Sequence, residues 1–513
     1  MCFWVVWEFF LYMSQLKKGA ILSYITILLT NVIGLLLTPF IIKSLGDAEY
    51  GLYMLIGAFV GYITVLDFGL NNTIVRFVAK YLAEGDKKGE ENFLATTMYI
   101  YGIISLLIGL LGVILYFNLE NIFGESLTAA ELSKAKVMFI ILIFNMVITL
   151  PGGAFTAICS GYEHFVFPRS INIVRYMVRS ALVVGLLLWG GDAIGLVVLD
   201  TGMNLAVIGF NGYYVFKKLK VTFKLHFFHI PLVKQIFSYS IWVFILALVS
   251  EFQWKAGQIV LGTLTNTTTV AIYAIGLLLG SYYGAFSGAI GGVFLPRATK
   301  MIVKNSNGKE LTEMMIKIGR ISLIVLLLIL GGFVLYGKQF VILWVGESYI
   351  NSWFVALIIM IGYTIPLIQS FANLILSAKS LFAFKAFIYI TFIGLGTLFG
   401  TLLVKDYGVI GMATGTTLGW LIAQICMNIY FSKVINLEIG LFYKKMFYKI
   451  IPSFIVIMLI GYFITRIPGS GWLNFSIKGT LFCMTYIIGM YVFGMVASEK
   501  DLIKKTLHFN MNK

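Results

Sequence analysis

Charge, cysteine, histidine and proline are all scarce in this chain. Only 12% of its 513 residues are Asp, Glu, Lys or Arg, against 60% that are apolar. A soluble domain carries about twice that share of charge, so no stretch here is polar enough to form a catalytic domain in water. The four cysteines, Cys2, Cys159, Cys426 and Cys483, have no metal-ligand spacing and form no disulfide framework; they read as small core residues. Of four histidines, only His226 and His229 are near neighbours, and their basic surroundings suit a solvated loop better than a metal. No G-x-x-x-x-G-K-[ST] sequence is present, so direct ATP hydrolysis is not expected. With eight prolines, long helices are seldom interrupted.

What remains is a train of apolar stretches, with a mean hydropathy of +0.94. Crossing a hydrocarbon core of roughly 30 Å takes about 20 helical residues. Runs of that length lie at 20–42, 49–71, 92–117, 136–158, 169–190, 193–216, 235–262, 268–292, 318–337, 350–376, 381–404, 408–432, 449–466 and 473–496. They are too long and too uniformly apolar for barrel strands. The sequence therefore predicts an all-α polytopic membrane protein of about 14 transmembrane helices.

The net charge of +16 would suggest nucleic acid in a soluble protein. With the N-terminus inside, however, only Lys43, Lys134, Lys136, Lys338, Lys405, Arg466 and Lys478 fall in outer loops, and Arg175, Arg179 and Lys255 within spans. The rest of the 38 Lys and Arg residues lie in cytoplasmic segments such as 217–234, 297–320 and 444–449. That asymmetry is the positive-inside pattern, and it predicts cytoplasmic termini and an even number of spans. No nucleic-acid partner is expected. Residues 1–12, MCFWVVWEFFLY, precede Met13-Ser-Gln-Leu-Lys-Lys, which has the look of a natural membrane-protein start. They are expected to be an extension rather than part of the fold.

The chain also resembles itself at offsets of about 215–223 residues. Gly46–Tyr53 parallels Gly262–Tyr273, each leading into a glycine pair: Gly57 and Gly61, then Gly276 and Gly280. A polar segment follows each, opening at Arg76 and Arg297. Pro151 parallels Pro366, and Gly195 parallels Gly411. Six spans per repeat make the two halves parallel. The division expected is an extension (1–12), a first six-helix bundle (13–216), a cytoplasmic linker (217–234), a second bundle (235–432), and two further spans with a tail (433–513). Such duplication is typical of alternating-access transporters, with substrate held between halves. A ladder of Gly280, Gly284, Gly288 and Gly292 would let one helix face approach another closely.

Ionisable groups at bilayer depth cost roughly 2.5–3.5 kcal/mol each, which makes them candidates for function. Arg175 and Arg179 lie one turn apart in the fifth span, about 10 and 16 Å from its cytoplasmic mouth. Two guanidinium groups on one face suit a phosphate-bearing headgroup; the alternatives are a pair that snorkels to the interface or a structural partnership with Asp200. Glu251 and Lys255 stand at i, i+4 in the seventh span, either as an ion pair or as a cavity wall. The substrate-binding candidates are thus Arg175, Arg179, Lys255, Asn31 and Gln369. Those for Na⁺ or H⁺ coupling are Glu251, Asp200 and Asp67, the last in a helix-end segment, Leu66–Asn72, with Arg76 two turns on. No other cofactor or metal is expected.

Leu16-Lys-Lys-Gly-Ala, Thr38-Pro-Phe-Ile-Ile-Lys-Ser-Leu-Gly, Glu49-Tyr-Gly-Leu-Tyr, and Leu66-Asp-Phe-Gly-Leu followed by Arg76 resemble bacterial polysaccharide transporters, the Wzx-type oligosaccharide flippases. The resemblance covers the chain from Met13 and is most specific between Leu16 and Asn92. It implies a V-shaped, MATE-like pair of bundles in the bacterial inner membrane. It also implies that an undecaprenyl-pyrophosphate-linked oligosaccharide moves from the cytoplasmic to the outer leaflet, for capsule, lipopolysaccharide or another glycan. The partners implied are that lipid-linked sugar, membrane lipids, a polysaccharide polymerase and glycosyltransferases. Substrate contacts vary in such families, so no site residue is carried over.

Two other classes compete. A MATE-type cation-coupled drug exporter would want an acidic cavity, whereas the deep charges here lean basic. A membrane-embedded glycan polymerase or ligase would want catalytic groups on a large outer loop, and the longest such loop, Asn118–Ala135, has no His or Arg. A scaffold that recruits glycosyltransferases through its basic loops would depend on charges in 297–320 rather than on a cavity.

Overall fold

The computed structural model describes residues 15–501, apart from 228, 229, 305, 380 and 382. The extension 1–12 and His229 lie outside the described residues. The apolar runs named above are largely helical, because lipid leaves each backbone N–H and C=O to find its partner within the segment, although the second crosses the Val65–Asp67 turn and the tenth is split at Gln369. Backbone contacts divide the chain after Ala271 into two compact units.

The first unit contains α1 (Gln15–Leu45), α2 (Asp47–Thr64), α3 (Leu70–Glu84), α4 (Lys87–Phe123), α5 (Ala129–Gly161), α6 (Val166–Leu188), α7 (Ala193–Tyr213) and α8 (Ile230–Leu264). α5 is its hub, packing on α3, α4 and α7, while α1 packs on α6 and α2 on α8. The helix α8 carries the seventh apolar run. The repeat pattern puts it in the second bundle, beginning at 235, yet its packing groups it with the first unit. Pro151 has no N–H to give to the Val147 carbonyl one turn back. The Ser105 hydroxyl of α4 donates to that carbonyl instead, at 2.9 Å, which joins α4 to α5 where the helix is weakest. The polar segment after the second run forms α3, whose buried face is Leu70, Thr73, Ile74, Phe77 and Val78. Gly85 ends it at φ 69°, a left-handed conformation that suits glycine. A π-turn, Tyr214–Lys218, leads into the linker, which is strapped to the start of α4. Asn92 Oδ1 accepts the amides of His226 and Phe227 at 2.9 and 3.0 Å, and His226 Nε2 lies 2.9 Å from Glu91.

The second unit follows from Ile272, one turn into α9 (Thr267–Val303). It continues with α10 (Gly308–Val345), α11 (Ile350–Ile368), α12 (Ser370–Ala378), α13 (Ala383–Val434), α14 (Ile439–Phe447), α15 (Ile450–Thr465) and α16 (Gly471–Gly489). α13 holds two apolar runs, separated by a break at Gly408 (φ 52°, ψ −131°). By length and composition, eleven helical segments among the described residues are suited to crossing a membrane. α2 and α8 fall outside that set, and α13 counts once. Lys478, expected in an outer loop, is instead buried on α16. Large apolar side chains such as Leu36, Phe117, Leu402 and Leu473 stand more than two-thirds exposed. On a chain this apolar, that surface is a lipid-facing one.

The Gly280 ladder packs as its spacing predicts over its described part. A Cβ on Gly276, Gly280 or Gly284 would fall within 2.4–2.7 Å of Val355, Ile359 or Tyr363 on α11. The surroundings of Gly288 and Gly292 lie outside the described residues.

Candidate functional site

In the first unit, α2, α5, α6, α7 and α8 enclose a cavity of about 510 Å³. One end of these helices is tied together by charge. Lys134 of α5 reaches Glu49 of α2 at 2.8 Å and Asp192, the N-cap of α7, at 3.3 Å. Glu49 also accepts the Ala193 amide at 2.8 Å, and Asp192 accepts that of Gly195 at 3.1 Å. Burial pushes the Asp192 carboxyl up, but the Gly195 amide and the Lys134 ammonium outweigh it and hold the group below the usual carboxylate range. This knot fixes where α2, α5 and α7 stand, and hence where the polar groups further along them meet.

Arg179 and Asp200 face each other across the cavity wall in a bidentate pair. Arg179 Nε donates to Asp200 Oδ1, and Nη2 donates to Oδ2 at 2.9 Å. The Tyr53 hydroxyl donates to Oδ2 as well, at 3.1 Å. Arg179 is thus ion-paired with Asp200. Arg175, one turn earlier, also lines the cavity. It is half-buried, its Nε has no hydrogen-bond partner among the described residues, and its guanidinium lies 5.9 Å from the Tyr176 ring centre.

Lys255 enters from α8, with Nζ 2.8 Å from Glu251 Oε2 as the i, i+4 spacing predicts. The approach is that of an ion pair without hydrogen-bond alignment, so Oε2 is left without a donor. The lysine lies along the bare face of Gly61, where a Cβ would come within 2.0 Å of Nζ. Among the described residues that line this cavity, Arg179 is balanced by Asp200 and Lys255 by Glu251, which leaves the positive charge of Arg175 in surplus.

Three uncharged groups in the wall escaped the sequence reading. Asn204 Nδ2 donates to Asn145 Oδ1 at 2.8 Å and to Thr149 Oγ1 at 2.5 Å, and the Thr149 hydroxyl lies 3.0 Å from Asn145 Oδ1. A signal was present: Asn145 and Thr149, and Asp200 and Asn204, each stand at i, i+4 inside an otherwise apolar run.

The remaining candidates lie elsewhere. Asn31 is half-buried on α1 and does not line the cavity. Asp67 accepts the Tyr101 hydroxyl at 3.0 Å, with the Asn71 amide at 3.4 Å, and so belongs to the turn between α2 and α3. Gln369 is in the second unit, fully buried, within a chain of amides and phenols. It donates to Asn428 at 2.8 Å and accepts from Gln424, which in turn accepts Tyr389 at 2.7 Å. The duplication offset that pairs Gly195 with Gly411 also pairs Asp200 with Thr416. Thr416 bonds within its own helix, to the Met412 carbonyl at 3.0 Å, and not in an ion pair. Among the described residues, no cluster of His, Cys, Asp and Glu suits a metal.

The model of a family described as "Polysaccharide biosynthesis protein" matches residues 16–302. A protein of Shigella flexneri named "Putative O-antigen transporter" is 22% identical over 342 residues, covering 63% of this chain and 75% of that one. Among solved structures, lipid II flippase MurJ in an inward closed conformation superposes with a TM-score of 0.70 at 16% identity, over 94% of this chain and 99% of its own. An inward-facing multidrug resistance MATE transporter of the MOP superfamily gives 0.56 at 13% identity, over 82% and 97%. The fold is therefore that of MurJ and the MATE transporters.

Proposed function

Because the chain belongs to the polysaccharide biosynthesis protein family, we propose that it is a flippase for a polyprenyl-pyrophosphate-linked oligosaccharide, moving it from the cytoplasmic to the outer leaflet by alternating access. The named O-antigen transporter relative and the MurJ-like fold support this reading. The observation that carries it is the basic, amide-lined cavity with Arg175 uncompensated. No covalent bond is made or broken, so the protein is a transporter and not an enzyme.

A bare sugar headgroup would cost several kcal/mol for each polar group left unmet in hydrocarbon. Asn145, Thr149 and Asn204 replace water for the sugar hydroxyls, exchanging bonds with one another for bonds to cargo. Arg175 supplies a planar fork of N–H donors that matches phosphate oxygens, and Lys255 adds a movable point charge when it swings from Glu251. If an ion is coupled, Glu251 is the better carboxylate, since Asp200 would first have to give up both Arg179 and Tyr53. A cation exporter of the MATE type would need acidic surplus at this place, where the surplus is positive.

The test is accumulation of lipid-linked oligosaccharide in a deletion strain complemented with wild type, Arg175→Ala or Arg175→Lys, with membrane levels matched. Wild type should clear the accumulated lipid and Arg175→Ala should not, with Arg175→Lys in between. Full complementation by Arg175→Ala would remove the phosphate-binding role. Absence of any accumulation in the deletion strain would remove the flippase.

A further inference from the structure

The second unit carries a different cavity, of about 880 Å³, between α10, α14 and the segment 495–499. A second one, of about 420 Å³, adjoins it and shares Ile324, Val325 and Met495. Together they make one groove with two unlike ends. At the first end are Lys317, Lys444 and Lys445, with Glu313 the one acid available there. Each lysine is exposed, and none lies within ion-pair distance of a carboxylate among the described residues. The other end is apolar, walled by Leu328, Ile487 and Val492. Along α10, Lys317 to Leu328 spans roughly 16 Å.

Arg320 and Glu499 also line the first cavity, but their charges are spent on building it. Arg320, 4% exposed, donates to Glu499, to the carbonyls of Lys445 and Tyr448 at 2.7 and 3.0 Å, and to that of Gly494 at 3.2 Å. One guanidinium thereby pins α14 and the segment after α16 to α10. That is why Lys444 and Lys445 stay beside Lys317 despite their mutual repulsion.

We propose that this groove holds one anionic glycerophospholipid of the surrounding bilayer. Its headgroup phosphate rests on Lys317, Lys444 and Lys445, and an acyl chain runs along Ile324, Val325 and Leu328. A surplus of positive charge at the mouth of a hydrocarbon-lined slot is the complement of such a lipid. The positive-inside pattern puts this mouth at the cytoplasmic leaflet, where basic pockets between spanning helices select anionic headgroups. Inorganic phosphate would use the lysines and leave the apolar arm idle. A zwitterionic lipid would use the arm and gain little from the lysines. Every lining residue belongs to the second unit and none lines the basic cavity of the first.

The experiment is native mass spectrometry and thermal-shift titration of the full-length protein, delipidated in mild detergent. The probes are phosphatidylglycerol, phosphatidylcholine, a polyprenyl phosphate and inorganic phosphate. Saturable, salt-sensitive binding of phosphatidylglycerol is expected, at least tenfold tighter than phosphatidylcholine. Replacing Lys317, Lys444 and Lys445 by Gln together should weaken it roughly tenfold to a hundredfold. Val325→Trp, which fills the apolar arm and leaves the charges, should weaken it too. Equal binding of phosphatidylcholine, or binding unmoved by either variant, overturns the proposal. So does inorganic phosphate competing as well as the lipid, or a preference for polyprenyl phosphate, which would give the groove to the cargo. The wild-type ranking of the four probes decides even if a variant fails to fold.

Discussion

At the scale of single residues, Arg175 and Arg179 share a helix face and differ in what opposes them. Removing Arg179 strands Asp200 with only Tyr53 as donor, in a setting about four-fifths buried. A hydrogen-bonded charge pair of this kind is worth about 1.5–3 kcal/mol. Arg179→Ala should therefore lower the unfolding temperature of purified protein, Asp200→Asn should do so less, and the double variant should recover part of the loss. Additive effects in that cycle would mean the two do not act as a pair. Arg175→Ala, by contrast, should leave stability near wild type and remove transport. Asp192 allows a check on pH. Its carboxyl is depressed in the folded state, so its contribution is complete above about pH 4, the unfolded value, and is lost as pH falls through the lower folded value. Asp192→Ala should cost about 1 kcal/mol at neutral pH, as for a lost N-cap. The gap from wild type should close in acid; a gap that persists unchanged at pH 3 would rule out the ionised cap.

At the scale of elements, the two halves of α13 pack backbone to backbone. A Cβ on Gly415 would sit 2.2 Å from the Gly400 backbone, one on Gly419 2.2 Å from the Phe392 carbonyl, and one on Gly396 2.6 Å from the Gly415 carbonyl. Two small-xxx-small pairs thus face each other backbone to backbone, and no side chain can yield. Gly415→Leu should separate the halves and prevent accumulation of folded protein. Leucine at Gly394, which meets nothing within 4 Å, should be tolerated; equal expression of both would contradict this packing. The helices themselves were legible in the sequence because a lipid solvent makes length and apolarity nearly sufficient. Partners were less so. The Gly280 ladder announced a close contact without naming α11, and the α13 pairs went unnoticed beside it. The expected repeat groups α8 with the second half, whereas its packing puts it in the first unit, because sequence self-similarity does not say which faces fit.

At the scale of the whole molecule, the deep charges of the site were legible from depth alone, since an Arg in mid-span demands a reason. Their division of labour was not. Whether Asp200 meets Arg175 or Arg179, and that Tyr53 joins them, depends on rotations of α2, α6 and α7 that no local pattern fixes. The amides of Asn145 and Asn204 stayed hidden because an uncharged polar group costs too little to stand out. The proposed cargo adds a last consequence. A pyrophosphate headgroup carries two negative charges outward across the field, each gaining roughly 2.3 kcal/mol per 100 mV of inside-negative potential. The bias of about 4–5 kcal/mol is enough to drive export without nucleotide hydrolysis, provided the cavity does not cancel those charges in transit. In the proposed mechanism Arg175, which stays with the protein, would hold the headgroup without neutralising it across the membrane. Transport of a lipid-linked oligosaccharide in proteoliposomes should therefore rise with a potassium diffusion potential set by valinomycin, inside negative, and fall when equal potassium on both sides abolishes it. Rates indifferent to that potential would mean the headgroup crosses as a neutral complex, with protons or Na⁺ as companions, and would move the driving force to Glu251.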